Sequence, residues 1–285
     1  MRVMFPKVVI IGTGLIGGSL GLALKRSRLA TEIVGVARRP QTLKLARRRG
    51  CITSGETDWR RAVSGAQLVI LACPVHAILE QLRDIGSCLA AGCIVMDVGS
   101  TKQAIVNAAQ LHLPPTVYFV GAHPLAGSEK TGPGQARSDL FRNCVCVVTP
   151  TRRTHAPSLK KMKHVWRQLG ASVAIMPPQT HDRIVAYTSH MPHLLAAALM
   201  LSVPPRMFPY TAGGFRDMTR IAAGDEEMWR DIFCTNRAAL QSALTVFGRA
   251  LTRLEQSFAK GRPEIGKRLL GKARRARQSF PGDAP

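Results

Sequence analysis

Acidic residues are scarce in this 285-residue chain: 17 Asp and Glu stand against 40 Lys and Arg, a formal net charge of +23. Such a field attracts anionic partners without identifying them, and nucleic acid, a phosphorylated cofactor and a dicarboxylate substrate all fit it. Aromatic residues are also few, at 5%. None is interleaved with the basic clusters Arg38-Arg39, Arg47-Arg48-Arg49, Arg152-Arg153 and the tail from Lys267 to Arg277. A strand of bases would find no stacking platform there, so a solvated basic surface is expected rather than a nucleic-acid interface. The seven cysteines (51, 73, 88, 93, 144, 146 and 234) include no CxxC pair. That argues against zinc and against a disulfide framework, and suits a reducing compartment. No run of eighteen or more apolar residues occurs, so no membrane span is expected. The opening MRVMFPKVVIIG lacks a small-residue cleavage site and flows directly into a motif that needs a folded strand. A signal peptide is not expected, and a cytoplasmic location is.

What the chain does have is the composition of a globular protein, 46% hydrophobic and 20% charged. Apolar runs predict strands at 7–11, 32–37, 66–73, 92–99, 117–124, 144–150 and 171–177. Helical periodicity fills the intervals after 14, in QTLKLARRRG, in HAILEQLRDIG and in SLKKMKHVWRQLG. Strands alternating with helices imply a largely parallel sheet covered on both faces. After Pro177-Pro178 only helical patterns follow, chiefly HDRIVAYTSHMPHLLAAALMLS and EEMWRDIFCTNRAALQSALTVFGRALTRLEQ. The expected fold is therefore α/β: a Rossmann-type doubly wound parallel sheet over residues 1–178, then an all-helical domain over 179–285. The last twenty residues, basic and ending in SFPGDAP, are expected to fray. No internal repeat is present.

Gly12-Thr13-Gly14-Leu15-Ile16-Gly17 lies between the first strand and the first helix. In that context Gly12 permits a tight turn, Gly14 lets backbone approach a pyrophosphate, and Gly17 lets helix and strand pack closely. The helix N-terminus then offers free N–H groups to the phosphates. The end of the second strand discriminates between nicotinamide cofactors, because an acid there would bond the ribose 2′-hydroxyl. Here Ala37 occupies that place, followed by Arg38 and Arg39, which could clamp a 2′-phosphate. NADP is expected in preference to NAD. Gly12, Gly14, Leu15, Ile16, Gly17, Ala37, Arg38 and Arg39, with Cys73 and Pro74 beyond the third predicted strand, make up the expected cofactor-binding set.

Two further strand ends carry polar groups where a doubly wound sheet places its ligand: DVGSTK (97–102) and GAHPLAGSEKTG (121–132). A histidine ordinarily titrates near neutrality, so His123 could accept a hydroxyl proton while hydride leaves the same carbon. Ser100 is its expected hydrogen-bond partner. His190 and His193 sit one turn apart, but no carboxylate or cysteine completes a ligand set, and no metal is expected.

The segments GTGLIGGS, DVGSTK, GAHPLAGSEKTG, TSHMPH and GGFRDMTRIAAGDEEMWRDIF together resemble the prephenate/arogenate dehydrogenase family, from about residue 7 to 240. The resemblance implies oxidative decarboxylation to 4-hydroxyphenylpyruvate or tyrosine, with His123 taking the ring hydroxyl's proton as hydride passes to the cofactor. Ser100 matches a serine that bonds the histidine and substrate, and Arg220 a carboxylate-binding arginine that Asp217, one turn earlier, would hold in place. His193 and Ser189 match substrate contacts, Glu129 an acid near the pocket entrance, and Trp229 a residue packed close to the site. Ala37 departs from the commonest pattern and puts strict NAD use in doubt.

A homodimer through the helical domain is expected. AAALMLSV (196–203) is uncharged, and Ala239, Leu240, Ala243, Leu244, Phe247 and Leu251 form one helical stripe. Two other readings stand beside this one. A β-hydroxyacid dehydrogenase shares the plan but relies on a helix-borne lysine, where this chain carries His190, His193 and Arg220. A non-enzymatic protein that binds nucleotide or nucleic acid would exploit the charge alone.

Overall fold

Phe5-Pro-Lys-Val-Val-Ile-Ile begins the sheet because alternate β-branched side chains can be buried on both faces at once. In β1 (Phe5–Ile11), Val8 and Ile10 join one core, with Leu20, Leu24 and Trp166, while Val9 and Ile11 join the other, with Val69, Val95 and Ile105. The computed structural model describes residues 3–127, 131–259, 261 and 263–279. Its remaining strands are β2 (Ala30–Val36), β3 (Ser54–Glu56), β4 (Leu68–Leu71), β5 (Ile94–Asp97), β6 (Tyr118–Pro124), β7 (Val145–Val148) and β8 (Ser172–Ile175). They form one eight-stranded sheet in the order β3-β2-β1-β4-β5-β6-β7-β8. All neighbours are parallel except β6 and β7, which run antiparallel with His123 opposite Val147. The order reverses between β1 and β4, and the crevice beyond their carboxyl ends is where such sheets hold ligands.

Helices α1 (Leu15–Arg26), α2 (Pro40–Arg48), α3 (Trp59–Val63), α4 (Val75–Asp84), α5 (Gln103–His112) and α6 (Ala156–Gln168) cover the sheet. Strand β3 lies outside the predicted series because Ser-Gly-Glu offers no apolar run; it is a three-residue edge paired to β2.

From residue 178, α7 (Pro178–Val185), a π-helical turn (Ala186–His190) and α8 (Met191–Ser202) follow without a break. This 25-residue stretch is long and apolar enough, by length and composition, to cross a membrane. Its polar residues His181, Asp182 and His190 are instead buried in hydrogen bonds to the rest of the protein. Then come α9 (Gly213–Thr219), α10 (Glu226–Thr235), α11 (Arg237–Ala259) and α12 (Pro263–Gln278). The second long helical pattern is thus two helices, parted at Asn236, whose amide is spent on Asp182 and His190.

By compactness the chain divides into residues 1–237 and 238–285, later than the change of pattern at 178. The reason is visible in the first unit, where α7 and α10 are tied to the sheet layer. Asp231 accepts from the His76 amide at 3.2 Å, Thr235 meets Thr101 at 2.9 Å, and Asp182 accepts from the amides of Lys102 and Gln103. The second unit contains most of α11, and α12. Gly266 of α12 lies so close to Phe258 that an added Cβ would come within 2.5 Å of the ring. Through Gln278 the basic tail is helical rather than frayed: it packs through Gly266 and turns its arginines to solvent, while residues 280–285 lie outside the described residues.

Candidate active site

The turn after β1 is shaped by what cannot fit in it. Gly12 has φ +99°, and a Cβ there would sit 2.3 Å from the Ala72 carbonyl oxygen, so this position needs glycine twice over. A Cβ on Gly17 would lie 1.9 Å from the Gly12 carbonyl oxygen. Gly14, which caps α1, has nothing within 4 Å of its Cβ position. Beside it the first N–H groups of α1, from Leu15 and Ile16 onward, have no partner within the helix. The result is a tight turn with one open face and a positive helix end, a cradle that fits a dinucleotide pyrophosphate.

Around this cradle the structure gathers the other expected cofactor residues. The Cys73 amide is 2.9 Å from the Gly12 Cβ position, and Pro74 caps α4. Burial pushes the Cys73 thiol up to about 12, so it is a neutral wall rather than a nucleophile. Ala37 follows β2 half-buried; Arg38 and Arg39 are exposed and make no ion pair among the described residues. Thr13, absent from the expected set, is buried with its hydroxyl unpartnered.

His123 stands near the carboxyl end of β6. Its Nδ1 meets His181 Nε2 at 2.8 Å, and His181 Nδ1 meets Asp182 Oδ1 at 2.8 Å. Asp182 also accepts from the Lys102 amide at 2.7 Å and the Gln103 amide at 2.9 Å, which caps α5. Beside this lies the fully buried ion pair of Lys102 with Asp97. Burial raises the Asp97 carboxyl, against the pull of Lys102. For His123, burial and then the positive influence of His181, Lys102 and His190 hold the imidazole well below its ordinary value. At neutral pH it is uncharged and able to accept a proton.

The expected Ser100–His123 bond is not formed. Ser100 is half-buried, makes no hydrogen bond among the described residues, and leaves His123 Nδ1 to His181. His181 and Asp182 were not anticipated from the sequence. Their only local signal is an adjacent His-Asp in the first turns of an amphipathic helix, and nothing in that pattern says it faces residue 123.

His190 and His193 serve separate contacts. His190 Nδ1 lies 3.1 Å from the Asn236 amide nitrogen, and burial lowers the imidazole to about 4. His193 stacks on Trp229 with ring centroids 3.6 Å apart and an interplanar angle of 14°. Its buried Nδ1 has no partner, which suits a contact waiting for a ligand. Gly224 makes that stack possible, since a Cβ there would fall 2.5 Å from Trp229 Nε1. Among the described residues no three His, Cys, Asp or Glu side chains converge on a metal position.

Ser189 is exposed on the π-helical turn, a distortion frequent at functional sites. Arg220 is exposed where α9 tightens into a 3-10 turn (Arg220–Ala223). Asp217 is exposed and makes no ion pair among the described residues, so its expected tie to Arg220 is absent. A solvent-exposed ion pair of this kind contributes little in any case. Glu129 lies outside the described residues.

Comparison with known proteins agrees with this geometry. The family model "Prephenate dehydrogenase, nucleotide-binding domain" matches residues 20–175, and "Prephenate dehydrogenase, dimerization domain" matches residues 177–271. Prephenate dehydrogenase of Bacillus subtilis is 35% identical over 244 residues, 83% of this chain; the aligned region spans 66% of that relative's length. The crystal structure of Aquifex aeolicus prephenate dehydrogenase with hydroxyphenyl propionate and NAD+ superposes with a TM-score of 0.91 at 31% identity, covering 98% of this chain and 99% of that one. Synechocystis arogenate dehydrogenase gives a TM-score of 0.81 at 29% identity, covering 95% of this chain and 99% of that one. With a glycine cradle, an uncharged histidine on the same carboxyl edge of the sheet and both family domains matched in order, the chain belongs to the prephenate/arogenate dehydrogenase family of nicotinamide-dependent oxidoreductases.

Proposed function

We propose that this protein oxidatively decarboxylates prephenate, or arogenate, to 4-hydroxyphenylpyruvate or tyrosine, with His123 as the group that accepts the substrate's hydroxyl proton. The observation that carries this reading is the state of His123. It is half-buried, uncharged at neutral pH and bonded through Nδ1, which leaves Nε2 as the nitrogen for substrate. The cradle of Gly12, Gly14 and Gly17, with Leu15, Ile16, Cys73 and Pro74 around it, would hold the dinucleotide. When bound, the nicotinamide supplies the hydride acceptor. His123 Nε2 receives the proton of the ring hydroxyl as that carbon becomes a carbonyl, and loss of the ring carboxylate as carbon dioxide then aromatises the ring.

Arg220 is assigned to a substrate carboxylate, for which a planar guanidinium is suited. His193 and Ser189 are assigned to the substrate side chain, Glu129 to the pocket entrance, and Ser100 to a direct substrate contact. Asp217 stays in the substrate-binding set as a surface acid near Arg220. NADP is the preferred cofactor in this reading: no acid stands at position 37, and Arg38 and Arg39 have no ion-pair partner among the described residues to compete for them. Functionally the chain divides near residue 178, with cofactor chemistry before it and substrate contacts and dimerisation after it.

The protein is read as a homodimer through the segment after residue 178. Leu201 and Tyr210 are each 88% exposed and Met218 68%, large apolar surface that a second subunit would cover. Sedimentation equilibrium at low micromolar concentration tests this, and a clean monomer with full activity refutes it. Turnover measured with prephenate and arogenate, each against NAD and NADP, tests the activity. The expected result is turnover of at least one substrate, faster with NADP; no turnover in any of the four combinations overturns the reading.

A further inference from the structure

We propose that His181 and Asp182 form a positioning relay that fixes His123 in one tautomer, with its proton on Nδ1 and its lone pair on Nε2, and supports the charge His123 acquires. The argument is a count of donors and acceptors along one line of bonds. Both Asp182 oxygens already accept from N–H groups, Oδ1 from Lys102 and Oδ2 from Gln103, so the carboxylate acts as acceptor throughout. His181 Nδ1, 2.8 Å from Oδ1, must then be the donor, because two acceptors would repel at that distance. A neutral His181 with its proton on Nδ1 offers a bare Nε2. His123 Nδ1, 2.8 Å away, can satisfy that contact only by donating. One carboxylate thereby dictates a proton position two side chains distant.

The burial makes this arrangement matter. His181 and Asp182 are 1% and 4% exposed, so neither water nor a mobile side chain can substitute for a missing partner. The other groups around His123 are Lys102, already paired with Asp97, His190, bonded to Asn236, and the buried thiol of the adjacent strand residue Cys146. None of these is bonded to His123 Nδ1 in the structure. When His123 Nε2 takes the substrate's hydroxyl proton, the ring becomes an imidazolium whose Nδ1–H still donates to His181, and the Asp182 charge lies on the same line. No proton needs to travel along the relay. It orients the base and stabilises the charged product of proton transfer, as a buried carboxylate does behind other catalytic histidines.

The kinetic part of this proposal rests on the dehydrogenase reading, so the deciding measurement is independent of activity. Protein labelled with ¹⁵N at histidine, observed by long-range ¹H–¹⁵N correlation near pH 7.5 and assigned with His123→Asn and His181→Gln, reports which nitrogen carries each proton. The expected result is a protonated Nδ1 and bare Nε2 on both His123 and His181. A proton on His123 Nε2, or a doubly protonated His181 donating to His123, overturns the relay. The kinetic arm compares two substitutions. In His181→Gln the side chain can still accept from His123 and donate to Asp182, and kcat should stay within about tenfold of wild type. In His181→Leu that acceptor is lost. There kcat should fall by about 10²–10³-fold, KM should stay within about threefold, and the acid limb of the pH–rate profile should move. A His181→Leu enzyme with wild-type kcat and an unmoved profile refutes the relay. Wild-type enzyme that turns over neither prephenate nor arogenate refutes the activity, while the tautomer measurement still decides the relay.

Discussion

The nucleotide turn and the histidine cluster sit on the same sheet edge and are built by opposite means. Gly12, Gly14 and Gly17 lie within six positions of one another; at Gly12 and Gly17 backbone is held too close for any side chain, while Gly14 leaves one face open. The cluster draws His123 from β6, the Lys102 and Gln103 amides from the start of α5, His181 and Asp182 from α7, and Asn236 from beyond α10. Its geometry is carried by side chains that satisfy one another. The first region is spoiled by atoms added and the second by atoms removed.

The sharpest way to separate the two is to disable one and leave the other. His123→Asn should lower kcat by about 10²–10⁴-fold, the usual worth of a positioned proton acceptor, with cofactor affinity changed by less than about threefold. Steady-state kinetics beside a cofactor titration measures both; a variant that keeps most of its activity removes His123 from the chemistry.

Acid should attack the histidine side alone. His190 titrates at about 4 in the folded protein against an ordinary 6.5, so the unfolded chain takes up its proton first. Stability is complete above about pH 6.5 and is lost as pH falls through 4, to an extent on the order of 3 kcal/mol from this residue. His123 and His193 are shifted in the same direction by burial. Denaturant unfolding between pH 7.5 and 4 should show the fall, and His190→Asn should make it shallower. Equal slopes in the two proteins contradict the assignment.

On the backbone side, Gly17→Ala and Gly14→Ala should part company. The first forces a methyl into the Gly12 carbonyl and should cost about 1–3 kcal/mol of stability, as overpacking does. The second adds a methyl to open space, so the melting temperature should hold while cofactor binding weakens. Identical melting curves for the two would undo the distinction. The smallest effect is expected at the rim, where Ala37→Asp should shift preference toward NAD by about tenfold, or 1.4 kcal/mol. A wild type that already prefers NAD strongly sinks the argument from Arg38 and Arg39.

The same division explains what could be read in the sequence. β1, α1 and β2 announce themselves because a fully buried parallel strand must be apolar throughout and a phosphate turn needs glycine at fixed spacing. β3 does not, since Ser54-Gly55-Glu56 is held by pairing to β2 and carries no burial signature. The tail reads as frayed from its charge, yet a single glycine lets α12 pack closely against Phe258. His123 was legible from its strand end and family motif. Its partner was not, because Ser100 is near in motif while His181 is near only in space.

Gly12 packs against Ala72, so a nascent chain of little more than seventy residues already carries both sides of the nucleotide turn. His123 meets His181 only after the 58 residues that follow His123 have been synthesised, and His190 meets Asn236 later still. As the chain leaves the ribosome, the residues proposed to hold the cofactor can come together well before the proposed base has found its partner.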